Sequence, residues 1–160
     1  MSNPGITFDW KDEKSVDEQI AEIQQLIAEN KRTLMWRVAS RITITACGNA
    51  KRISAEDCRP AVVALAKSLV APGTPLMNDA AFVFYCNAVR VEGVDVVPLR
   101  KELDSENPFR KYNAVLFLAW KTPPDPAAIP LLDEVLRANA DAVHFAKARA
   151  RYDDQIDPNA

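Results

Sequence analysis

Pro98-Leu99-Arg100-Lys101-Glu102-Leu103 repeats the pattern of Ala64-Leu65-Ala66-Lys67-Ser68-Leu69 thirty-four positions earlier, and Pro130-Leu131-Leu132-Asp133-Glu134-Val135 repeats it thirty-two positions later. Apolar residues recur within each copy at helical spacing. A period in the low thirties has room for two helices. Helix pairs at such a period bury their apolar faces by stacking on their neighbours, because no pair can bury its face alone. An all-α solenoid of about three helix pairs is therefore expected.

Working outward from these copies, helix starts are well marked. Ser15 precedes Glu18 by three residues, a capping box that satisfies two orphan amides at once, and Ile20, Ile23, Leu26 and Ile27 follow at helical spacing. Ser54 with Asp57 marks another start. Thr74-Pro75, Asn107-Pro108 and Asp125-Pro126 each set a capping side chain before a proline at the first helical position, where its missing N–H costs little. Gly93 can end a helix by adopting a left-handed conformation. Eight helices are predicted, near 15–30, 32–47, 54–70, 75–91, 94–104, 108–121, 126–138 and 140–154. Arg41-Ile42-Thr43-Ile44-Thr45 alternates like a strand. Leu34, Val38, Ile42 and Ala46 recur every four residues, however, and favour a helix there.

The segment from Asn107-Pro108-Phe109-Arg110 through Pro124-Asp125-Pro126-Ala127-Ala128-Ile129-Pro130-Leu131-Leu132 resembles a HEAT repeat. The likeness is close over residues 107–136 and looser over 32–106. It implies a right-handed superhelix in which the first 31 residues and the helix at 140–154 act as caps. It also implies that the second helices of successive pairs, 54–70, 94–104 and 126–138, line the concave binding face. Lys67, Arg100, Lys101, Glu102, Asp133, Glu134 and Arg137 would form a mixed-charge strip there, with Trp120 as an aromatic anchor. Charge reversal at Arg100 and Arg137 is then expected to weaken partner binding and leave thermal stability nearly unchanged.

Composition narrows the function classes. At 160 residues and 48% hydrophobic the chain fits one domain able to bury roughly 70% of its unfolded surface. We expect a loose acidic arm over 1–14, a helical domain over 15–154 and a disordered tail over 155–160. No apolar run approaches the ~20 residues of a membrane span, and MSNPGITFDWKDEK does not read as a secretory signal, so a cytoplasmic protein is expected. Three cysteines, Cys47, Cys58 and Cys86, form no C-x-x-C pair and suit reduced thiols. A net charge of −2 disfavours nucleic acid as the main partner. The charge is uneven, with seven acidic residues between Asp9 and Glu29 and seven basic ones between Lys31 and Arg59. The two stretches pair within the fold, or one of them meets a partner of opposite sign.

No set of residues suited to catalysis emerges. His144 is the only histidine, which excludes a histidine metal cluster, and four glycines supply no phosphate-binding fingerprint. Cys58 beside Arg59 reads as a structural thiol. Phe82, Phe84 and Tyr85 share one helix and cannot all point the same way. Trp36 and Trp120 read as core, or as anchors if exposed. Phe8 and Trp10 fold back or dock elsewhere. The expectation is a non-catalytic protein-binding module without cofactor, an adaptor or an inhibitor such as a cytoplasmic immunity protein. Its partner is another protein and it is a monomer or weak homodimer. The alternative is a HEAT-like nucleic-acid binder using residues 31–59.

Overall fold

A computed structural model describes residues 15–49, 55–70 and 76–138. The segments 1–14 and 155–160, the starts at Ser54 and Thr74-Pro75, His144 and the helix at 140–154 lie outside the described residues.

Every regular element among the described residues is helical: α1 (Val16–Ala28), α2 (Arg32–Ile44), α3 (Ala55–Ser68), α4 (Asp79–Ala88), α5 (Val97–Arg100), α6 (Pro108–Trp120) and α7 (Ile129–Ala138). Ser15 and Glu18 form the expected capping box. Ser15 Oγ accepts from the Glu18 amide at 3.1 Å, and the Ser15 amide donates to Glu18 Oε1 at 3.3 Å. The alternating stretch is helical, running to Ile44 and then through a π-helical segment, Thr45–Asn49. Its threonines fit because their hydroxyls donate back to carbonyls one turn earlier, Thr43 to Ala39 at 2.7 Å and Thr45 to Arg41 at 3.1 Å.

The centre of the fold is α4. All nine residues from Ala80 to Ala88 are buried, and α1, α2, α3 and α6 pack around them. A helix that is apolar all round has no face to give to water, which is how Phe82, Phe84 and Tyr85 are buried together. Its buried Tyr85 and Asn87 are satisfied: Tyr85 donates to the Asp95 carbonyl and Asn87 Nδ2 to the Val83 carbonyl. Burial, with the nearby Asp95 charge, pushes the Tyr85 phenol up to about 12. Two asparagines fasten the start of α4 to the α1–α2 connection. Asn78 caps α4 through the Ala81 amide and donates to the Ile27 carbonyl at 2.8 Å. Asn30, at φ 52°, accepts from the Ala80 amide at 3.0 Å.

Three elements differ from the sequence pattern. The predicted helix over 94–104 is only one turn of α5 followed by a 3₁₀ turn, Lys101–Asp104, with Leu99 and Leu103 still directed inward. The helix expected from 75 begins at Asp79, where Asn78 supplies the cap. The helix expected from 126 begins at Ile129, because the Asp125 carboxylate folds the chain into a turn by accepting from the Ala127 amide at 2.9 Å.

Candidate functional site

Helices α2 and α6 lie on either side of α4, and their side chains meet above it. Trp36 of α2 stacks on Phe117 of α6 with ring centroids 5.5 Å apart, and Phe117 continues to Trp120 at 6.2 Å. Phe109, Asn113, Leu116 and Trp120 recur at spacings of four, three and four, so they share one stripe of α6 on the side of that contact. Trp120 is 56% exposed, whereas Trp36, Phe109, Asn113 and Leu116 are half-buried. This aromatic seam between α2 and α6, open to solvent at Trp120, is termed the furrow, and the two helices its rims.

Neither helix carries a carboxylate of its own, although carboxylates from α1, α4 and the 3₁₀ turn reach their arginines. Helix α2 carries Arg32, Arg37 and Arg41, and α6 carries Arg110 and Lys111, with no Asp or Glu in either helix. The Arg32 guanidinium sits 4.5 Å from the Phe109 ring centre and 3.6 Å from Asp79. Arg110 lies deeper and pairs with Asp79 at 3.3 Å and Glu102 at 3.0 Å. Arg41 pairs with Glu22 at 3.1 Å. Arg37 is exposed, one residue along α2 from Trp36.

The residues expected on a concave strip are distributed differently. Helix α2 packs on α4 and α4 on α6, but no comparable contact joins α3 to α5 or α5 to α7. Lys67 stands exposed in the last turn of α3, and Lys101 is exposed in the 3₁₀ turn. Arg100 Nε donates to Asp125 Oδ2 at 2.8 Å, with the Asp125 side chain only 2% exposed. Charge reversal at Arg100 would therefore set two carboxylates together and lower stability. Arg137, exposed in the last turn of α7, does not face that objection. Glu102 is held by Arg110, and Glu134 pairs with Lys111 at 3.3 Å. Glu134 also helps line a cleft of about 460 Å³ with Asp104, Lys111 and Tyr112, while Asp133 is exposed nearby on α7. Of the predicted residues, Trp120 alone belongs to the furrow. Trp36, Phe109 and Phe117 complete it, and their adjacency depends on α2 and α6 converging over α4.

Burial raises the Asp125 carboxyl. The Ala127 amide, the Arg100 guanidinium and the charge of Lys121 outweigh that and hold it below its ordinary value of 3.8. A group depressed in the fold contributes stability above its unfolded value and loses it as pH falls through its folded value. Asp125→Asn is thus expected to flatten the acid limb of the stability profile below about pH 4, as read by urea midpoints across that range.

Among the described residues, no group of three or more His, Cys, Asp or Glu is placed to hold a metal ion, and no helix is long and apolar enough to cross a membrane. Cys58 and Cys86 are buried and Cys47 is exposed, and none of the three forms a disulfide. Burial pushes the Cys86 thiol well above its ordinary range, which keeps it protonated and unreactive. No family model, curated protein or solved structure matches the chain.

Proposed function

We propose that the chain is a non-catalytic protein-binding module, an adaptor or an inhibitor of another protein, and that it engages its partner through the α2–α6 furrow. The observation that carries this is the exposure of Trp120 at the end of a continuous aromatic row between two helices that carry arginine and no carboxylate of their own. Tryptophan and arginine dominate binding hot spots because a large rigid ring and a planar cation lose little freedom for the contact they make. The solenoid belongs to the same proposal. It takes α2 with α3, α4 with α5 and α6 with α7 as three pairs of a right-handed superhelix with α1 as a cap, and the contacts of α2 with α3, α6 with α7, α2 with α4 and α4 with α6 favour it. A reducing, cytoplasmic setting is part of the proposal too, since it suits three free thiols.

The five cations of α2 and α6 also raise nucleic acid as a second reading. Arg32, Arg41, Arg110 and Lys111 are each within 4.0 Å of a carboxylate of this chain, which leaves little charge for phosphates. A tagged pull-down at two salt concentrations separates the two readings, since phosphate contacts weaken steeply with salt. A protein retained at both salts is expected. Trp120→Ala is expected to weaken it by roughly 30-fold, the effect of losing a ~2 kcal/mol hot spot. The thermal midpoint should move little, because the ring is largely outside the core. Undiminished binding by that variant would remove the furrow from consideration.

A further inference from the structure

Helix α3 runs for 14 residues and α7 for 10, but between α4 and α6 the chain makes only the four residues of α5 and a four-residue 3₁₀ turn. Beside that shortened element a cleft of about 460 Å³ lies open against α7, lined among others by Asp104, Glu106, Pro108, Lys111, Tyr112 and Glu134. One helical turn with its side chains, a cylinder about 10–12 Å wide and 5.4 Å long, fills roughly 400–600 Å³. The cleft therefore has room for three or four residues of another chain.

Its charge is not balanced from within. Glu134 is paired with Lys111 at 3.3 Å. Asp104 and Glu106 are exposed, and among the described residues neither is in an ion pair. Two carboxylates thus keep their charge available beside a half-buried tyrosine and an exposed proline. Arginine matches that set better than other side chains do. Its planar fork can reach two carboxylates at once, its face stacks on an aromatic ring, and its stem covers apolar surface. We infer that the cleft is a second docking surface, which takes an arginine-bearing segment of the partner protein, with the guanidinium between Asp104 and Glu106 and the stem along Tyr112 and Pro108. Exposed ion pairs are individually weak, so one arginine is held at an affinity on the order of millimolar. Joined to a contact elsewhere on the same partner, such a site multiplies the overall affinity without being strong itself.

This inference rests on the protein-binding reading but not on the furrow, and its test does not need the partner. Backbone amide shifts of the ¹⁵N-labelled full chain are followed while acetyl-Gly-Arg-Gly-amide is added, with the norleucine peptide as the uncharged control. Saturable shifts confined to residues 104–112 and 132–136 are expected from the arginine peptide alone. Asp104→Asn with Glu106→Gln should weaken binding about tenfold while amide shifts elsewhere stay unchanged, because both side chains are exposed. A Trp120→Ala chain should respond like the parent, so failure of the cleft and failure of the furrow are read separately. Equal binding by the Asp104→Asn/Glu106→Gln chain overturns the inference, as do shifts spread over the acidic residues of α1 or no response at all. Tighter peptide binding after Arg149→Ser and Arg151→Ser would place the chain's own C-terminal residues in the cleft and overturn it. A concentration-dependent dimer in sedimentation, abolished by Asp104→Asn/Glu106→Gln, would place a second copy there and overturn it too.

Discussion

Phe84→Ala is expected to lower the unfolding free energy by about 3–5 kcal/mol, the usual cost of deleting a fully buried phenylalanine and leaving part of its volume empty. Phe84 has no exposed surface, and it sits in a helix whose neighbours on every side are other helices. The cavity has no solvent edge through which to collapse. Typical domains hold only ~5–15 kcal/mol in total, so the loss is a large share of the whole. At roughly 2–4 °C per kcal/mol for a chain of this size, the midpoint falls well outside experimental error. Urea denaturation should show a reduced midpoint with an unchanged slope. Ile44→Ala, at a position 42% exposed, serves as the control and should cost far less. Similar losses at both positions would mean that α4 is not the enclosed centre of the fold.

Arg110→Ala carries the second large effect. Its guanidinium reaches Asp79 at 3.3 Å, Glu102 at 3.0 Å and the Leu76 carbonyl at 3.5 Å, and it lies 5.0 Å from the Phe82 ring centre. The Arg110 and Glu102 side chains are only 14% and 12% exposed. Removing one partner of such a pair leaves the other buried with its charge uncompensated, at a cost of about 3 kcal/mol. Asp79 keeps Arg32 at 3.6 Å and is affected less than Glu102. The double variant Arg110→Ala with Glu102→Gln should therefore recover part of the loss, and a double-mutant cycle measures that coupling. A single-variant loss below about 1 kcal/mol, the level of an exposed pair, would show that this network is solvated. Arg110→Lys should not substitute fully, since one ammonium cannot reproduce the planar fork that spans two carboxylates.

Local signals in the sequence led to the right structure where a local interaction decides the outcome. The Ser15–Glu18 box and the Asn107-Pro108 start need only their own neighbours, and both are found. The four-residue recurrence through Leu34, Val38, Ile42 and Ala46 outweighed the alternation around Thr43 because helical threonines have a carbonyl within reach. Signals failed where a distant group competes. Asp125 before Pro126 looks like a helix cap, but its carboxylate closes a local turn on the Ala127 amide and is also held by Arg100, twenty-five residues away, and the helix starts only at Ile129. Leu99 and Leu103 are both buried although the segment is one α turn followed by one 3₁₀ turn, and the apolar spacing alone does not record that change of winding. The furrow was the least legible feature. Trp36 and Phe117 come together only because α2 and α6 both pack on α4, and no pattern within either helix records that.

Because α4 takes its cover from both directions along the chain, the order of synthesis matters. Helices α1, α2 and α3 leave the ribosome before it, whereas α6, which brings Phe109 against Phe82 and Arg110 over the same ring, comes after it. At 5–20 residues per second, the 32 positions from the end of α4 to the end of α6 take about 2–6 s. During that interval the nascent chain carries a finished apolar helix with one flank bare, the state in which a growing protein most needs shelter from its neighbours.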